Sequence, residues 1–244
     1  MIGQLKIWLR LTIEDINFRI REMVRRTIRK LVEIAITDLD LMGSLQDIAS
    51  STAFERKYLS QAADFKSRSH LFRFVMEQVR DNSALFLEFG VYKGDSINRL
   101  AAFRPSVRWY GFDSFVGLPE AWTLGARTGA FSIGGKLPPV RDNITLIEGF
   151  FEQSLPPFAA QHRGSKIALL HVDCDLYSAT RTIFAELGDM LQAGSIVIFD
   201  EFINYPGWQD GEYKAFCEFV TEKNRTFEYI GYVRTGGQVA IRMT

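Results

Sequence analysis

"ALFLEFGVYKGDS", residues 84–96, decides how the chain folds. A short apolar run carries Glu88 near its end and is followed by Gly90 and Gly94. That pattern predicts a strand, a tight turn and the start of a helix. Glycines in such a turn let the backbone approach a ligand and let the next helix begin close by. Tyr92 stands where a three-glycine dinucleotide turn has its middle glycine. On its own, the stretch leaves a β–α turn with no ligand equally open.

Downstream the same rhythm repeats. Apolar runs occur at 107–113 ("VRWYGFD"), 144–149 ("ITLIEG"), 167–173 ("IALLHVD") and 195–200 ("SIVIFD"). Helical stretches such as 96–103 ("SINRLAAF") and 180–191 ("TRTIFAELGDML") lie between them. Strands that alternate with helices imply a parallel sheet covered on both faces. Two last runs, 227–233 and 238–243, flank "RTGG" and read as an antiparallel hairpin. The expected fold is α/β: a Rossmann-like, doubly wound, seven-stranded, mostly parallel sheet with a terminal antiparallel hairpin. Upstream, apolar residues recur at helical intervals over 4–36, with further helical stretches near 44–63 and 68–80. The expected division is an N-terminal helical extension over 1–80, for capping or dimerisation, and a ligand-binding domain over 81–244.

Composition narrows the function classes. The 244 residues are 47% hydrophobic and 24% charged, with 29 basic and 29 acidic side chains. A net charge of 0 gives no global field for nucleic acid. The two cysteines, Cys174 and Cys217, have neither metal-like nor disulfide-framework spacing, which fits a reducing, cytoplasmic setting. No apolar stretch approaches the roughly 18 residues that cross a bilayer. Residues 1–30 carry eight Lys/Arg against three acids. This helical segment reads as a cap, as a homodimer contact or, through its basic bias, as a membrane-surface element.

In a doubly wound sheet, ligands bind outside the carboxyl ends of the strands, so acids at those ends carry the chemistry. Asp113 ends the second run and can accept hydrogen bonds from ribose hydroxyls; its alternative is a helix N-cap. Gly149 and Phe150 follow the third run, where Phe150 is either a stacking surface for an adenine or a core residue. Asp173 and Asp175 follow the fourth, and Asp200 and Glu201 the fifth. Neighbouring strands lie about 5 Å apart. At that distance each like-charged pair costs on the order of 3 kcal/mol at an effective dielectric near 20. The cluster therefore needs a cation, a basic partner or raised pKa values. Oxygen-only ligands suit a hard ion such as Mg2+. His171, two residues before Asp173, reads as a core histidine or as a base.

Taken together, "EFGVYKGDS", "GFDSFVGLPEAW", "EGFFEQSLP", "HVDCDLYSAT" and "IVIFDEFINYPGWQDGEYKAF" resemble the class I S-adenosylmethionine-dependent methyltransferases. More narrowly they resemble the macrocin O-methyltransferase family, which methylates sugar hydroxyls. The resemblance covers about two thirds of the chain, from 84 to 244. It implies an S-adenosylmethionine-dependent O-methyltransferase for a sugar or another small polyol. Glu88, Gly90 and Gly94 would lie by the methionine part of the cofactor, Asp113 at the ribose, and Gly149 and Phe150 at the adenine. Asp173, Asp200 and Glu201 would bind Mg2+, with Asp173 also the catalytic base. The family has Asp-Asp where this chain has Asp200-Glu201, a departure that bears on the metal. An NAD-linked oxidoreductase would share Glu88, Gly94 and Asp113 but gives no reason for the later acids. A non-catalytic relative is the other alternative. The glycine-rich segment 120–142 is expected to form part of a substrate lid, with Trp122 as a contact.

Overall fold

The computed structural model describes residues 18–33, 39–122 and 125–244, without the side chains of residues 39–40. The chain divides into two units, Met1–Gln46 and Asp47–Thr244. In the first, residues 18–33 form helix α1, whose Phe18, Met23, Ile28 and Leu31 are exposed. Residues 4–17 and 34–36, which the sequence reads as part of one longer helix, lie outside the described residues. Helix α2 (Leu39–Phe54) leads into one π-helical turn at Glu55–Leu59. Among the described residues, no helix is long and apolar enough to cross a membrane.

The second unit is built on one sheet. Its strands are β1 (Ala63–Phe65), β2 (Leu85–Phe89), β3 (Trp109–Asp113), β4 (Ile144–Glu148), β5 (Ile167–Val172), β6 (Ile196–Phe199), β7 (Phe227–Val233) and β8 (Val239–Met243). The sheet therefore has eight strands, not the seven expected. The additional strand is three-residue β1, which pairs in parallel with β7 at the edge. Its "ADF" is too short to show a period of two, and the sequence reading placed it at the end of a helical stretch. Residues 47–80, which that reading grouped with the N-terminal extension, lie in this second unit.

Spatial order is β1-β7-β8-β6-β5-β2-β3-β4, with β8 antiparallel to both neighbours. The chain runs outward through β2, β3 and β4, then returns to lay β5 on the other side of β2. That reversal is the switch point where such sheets open a crevice. Both faces are covered, which is why the strands read as unbroken apolar runs. β6 sends Val197 and Phe199 into one core and Ile196 and Ile198 into the other. Helices α5 (Phe151–Gln161), α6 (Tyr177–Leu187) and α7 (Glu212–Glu222) cover the first face. Helices α3 (Arg68–Gln78) and α4 (Asp95–Ala102) cover the second.

Gly90 fixes how closely β2 and β5 end beside each other. Its φ is +91°, and a Cβ there would overlap the carbonyl of Asp173. Backbone approach, not a ligand alone, demands glycine. Gly90→Ala should lower unfolding free energy by about 3 kcal/mol or more in urea titration, combining positive-φ strain with the overlap. Gly134→Ala, also at positive φ but with open space around it, should cost only about 1 kcal/mol.

Candidate active site

A cavity of about 340 Å3 opens at the switch point, within the size range of small-ligand sites. Gly90, Tyr92, Asp113, Gly149, Phe150, Asp173 and Glu201 all line it, together with Arg68 and Trp122. Six of the nine predicted cofactor and metal residues thus meet at the cavity, and Asp200 lies buried just beside Asp173.

Glu88 and Gly94 do not reach the cavity wall. Glu88 is fully buried beneath it. Its carboxylate accepts from Ser96 Oγ at 2.8 Å and lies 2.9 Å from His171 Nδ1. The parity of β2 explains this: Glu88 shares its face with Phe86, toward α3 and α4. Gly94, at φ +85°, instead caps the start of α4. Asp113 caps no helix. Its two carboxylate oxygens accept the backbone N–H groups of Tyr92 and Phe115, each at 2.7 Å. Both of those residues have positive φ, so Asp113 pins two strained turns at the cavity mouth. Each oxygen keeps a second lone pair for a ligand. Gly149 (φ +131°) turns the chain so that Phe150 begins α5 beside the cavity.

The acids at β5 and β6 are arranged differently from the expected metal triad. Among the described residues, one group brings ligand atoms within 4.8 Å of one another: His171, Asp173 and Asp200. Glu201 is not in it. Its backbone N–H donates to Glu212 Oε2 at 3.3 Å, and its own buried Oε2 has no partner. A cation already sits on the two aspartates. Arg68 Nη1 lies 3.1 and 3.2 Å from the Asp200 oxygens and 3.4 Å from Asp173 Oδ2. Gln238 Nε2 donates to Asp200 Oδ2 at 3.2 Å. Arg68 thus already supplies positive charge between the two aspartates, and Glu201 lies outside the group, so the set does not fit Mg2+ as expected.

Burial opposes a charge on His171, but contacts with Asp200 and Glu88 outweigh it and raise its pKa to about 10. Its Nε2 is 3.8 Å from Asp200 Oδ1, an ion pair but not a hydrogen bond, so the Glu88 bond is the anchor. An imidazolium in this place is neither a base nor a metal ligand. Asp200 is pushed up by burial and pulled down further by His171 and Arg68, to about 2. Burial raises Asp173 well above the usual carboxylate range, and Asp200 adds to the rise. Asp175, at φ +65°, is raised to about 7, first by burial and then by Asp200 and Asp113.

Arg68 and Gln238 are the site residues that the sequence reading missed. They stand 105 residues before Asp173 and 38 after Asp200, outside every strand-end motif. No local pattern marks "FKSRSHLF" or "TGGQVA". Trp122 does line the cavity, and its ring lies 5.9 Å from that of Tyr205. Residues 123 and 124 of the expected lid lie outside the described residues.

The architecture is that of a Rossmann-like α/β protein with an acid-rich crevice. Residues 87–202 match the family model described as a methyltransferase domain. Among solved structures, the calicheamicin methyltransferase CalS11 aligns with a TM-score of 0.60 at 23% identity, over 84% of this chain and 93% of its own. The O-methyltransferase NovP aligns with a TM-score of 0.53 at 21% identity, over 72% and 79%. At these identities the likeness is one of fold. A search of curated protein sequences returns no significant match.

Glu212 gives this site a pH signature. It is fully buried, and burial followed by the charges of Asp175 and Asp173 raises its pKa well above the usual range. An acid raised in the folded state holds a proton that the unfolded chain has lost. It therefore lowers stability as pH rises from about 4.3 toward the folded pKa. The raised His171 acts in the same direction between pH 6.5 and about 10. Glu212→Gln should flatten the fall in urea stability between pH 5 and 8 by up to about 1.4 kcal/mol per pH unit. A variant with the wild-type slope would place the proton elsewhere.

Proposed function

We propose that the chain is an S-adenosylmethionine-dependent O-methyltransferase of the macrocin type, acting on a hydroxyl of a sugar or another small polyol. The observation that carries this reading is the convergence of Gly90, Asp113, Phe150 and Asp173 on one cavity at the switch point, inside the segment that matches the methyltransferase-domain model. Six acids but only two bases, Arg68 and Lys93, line that cavity. Such a wall favours a cationic ligand and suits a sulfonium.

The free lone pairs of Asp113 suit a ribose diol, and the Phe150 ring offers a stacking face. S-adenosylmethionine bound here would supply an electrophilic methyl group for in-line displacement by a hydroxyl oxygen. Asp173 is the group placed to take the hydroxyl proton. Burial makes its carboxylate a stronger base than an exposed one. Trp122, Leu118 and Phe131 form the apolar side of the wall and exclude water from the reacting oxygen. Mg2+ has no part in this reading, because the Arg68 guanidinium already stands against both aspartates. CalS11 is a TDP-rhamnose 3′-O-methyltransferase of calicheamicin biosynthesis, which makes a sugar hydroxyl the first acceptor to test.

Calorimetric titration with S-adenosylmethionine and with NAD tests the cofactor: the first should bind, and binding of NAD alone would overturn the reading. A screen of diol-bearing sugars with labelled S-adenosylmethionine then tests the reaction. Asp173→Asn should lower kcat by about 100-fold or more, the scale of a lost general base, while S-adenosylmethionine affinity stays within a few-fold. Undiminished transfer by that variant would remove Asp173 from the role.

A further inference from the structure

We infer that Arg68 is the resident cation of this active site: its guanidinium holds the place between Asp173 and Asp200 that a divalent ion would need, so the site works without a metal, and its remaining N–H groups anchor the acceptor's oxygens. The last clause rests on the O-methyltransferase reading; the rest does not.

The geometry opposes sharing. An ion bonded to Asp200 Oδ1 and Asp173 Oδ2 would stand about 2.1 Å from each. Arg68 Nη1 already lies 3.1 and 3.4 Å from those same two atoms, so an ion there would stand within about 5 Å of a guanidinium of like charge. A lysine or histidine could vacate by losing its proton, but an arginine cannot. Nor is this a loose surface side chain. It starts α3, and its guanidinium carbon lies 5.7 Å from the centre of the buried Phe72 ring. Phe72 in turn meets His171 edge-on at 5.2 Å. Gln238 Nε2 shares Asp200 Oδ2 with Arg68, each at 3.2 Å. Glu201, the third acid that a metal would use, stands outside the close group of ligand atoms, and its backbone N–H is tied to Glu212.

Arg68 also faces outward. Its side chain is 39% exposed and lines the cavity. Only Nη1 is used by the aspartates, and Nε and Nη2 donate to no described residue. A planar fork with free donors beside the base Asp173 suits two neighbouring oxygens of a polyol. It binds and orients them by hydrogen bonding, where a metal would do so by coordination.

The test is a Mn2+ titration of the full chain, reading free ion by electron paramagnetic resonance. Wild type should leave the free-ion signal unchanged up to about 1 mM, the weak end of protein divalent sites. Arg68→Ala, verified as folded by circular dichroism, should take up one equivalent through the uncovered aspartates. Should that variant not fold, Arg68→Met keeps a stem over Phe72 and replaces it. Mn2+ uptake by wild type overturns the inference, and so does a folded variant that still takes up none. Once an acceptor is found, wild-type turnover in EDTA should stay within twofold, and Arg68→Ala should raise the acceptor KM about tenfold, the value of one charge-assisted hydrogen bond. A tenfold loss in EDTA overturns metal independence. Absence of any methyl transfer would instead defeat the proposed reaction, with the Mn2+ result standing by itself.

Discussion

A carboxylate with no exposure, Glu88 at the end of a central strand, is the constraint on which the site depends. Several kcal/mol oppose such a charge unless a partner of opposite sign is buried with it. His171 is that partner because β5 lies beside β2 in a register that sets the two residues opposite each other. The charged imidazole then calls for a second acid, Asp200, and Asp200 for Arg68. The result is a row of alternating sign. It runs from Glu88 through His171 (2.9 Å), Asp200 (3.8 Å) and Arg68 (3.1 Å) to Asp173 at the cavity (3.4 Å). Each member lowers the cost of its neighbours, so the row holds together as a unit.

Topology decides which residues can join that row. β1 pairs with β7 at the edge, and α3 returns from it across the face that carries Ile198, Val233 and Ala240. This path brings Arg68, from before the first central strand, onto acids from the last parallel ones. The antiparallel insertion of β8 between β6 and β7 brings Gln238 to Asp200 from the C-terminal side. The strand edges that look peripheral in the sheet order thus deliver the two polar side chains that close the metal-like position.

The fold was legible because its signals are local. Apolar runs bounded by acids and glycines mark β2 to β6, and "RTGG" marks the β7–β8 hairpin. Only β1 escaped, since three residues cannot display a strand's period. That Gly90, Asp113, Gly149, Phe150 and Asp173 share one cavity was legible for the same reason: a strand end in a doubly wound sheet is a place on one rim. Which way each side chain turns was not legible. Glu88 and Asp113 are both strand-end acids, yet one is buried under the cavity with a histidine and the other holds two turns at its mouth. Arg68 lay beyond any local rule, because its partners are more than a hundred residues away.

The electrostatics of the row bear directly on what chemistry it supports. Glu88, Asp173 and Asp200 against His171 and Arg68 leave one net negative charge if all are ionised. A divalent ion added there would turn that into a net positive charge next to two fixed cations. A guanidinium offsets the aspartate charge without acting as a strong Lewis acid, so it would orient a hydroxyl but do little to acidify it. In the proposed methyl transfer the burden of removing the proton then falls on Asp173. That carboxylate is suited to it, since burial and Asp200 raise its basicity while Arg68 keeps its charge tolerable.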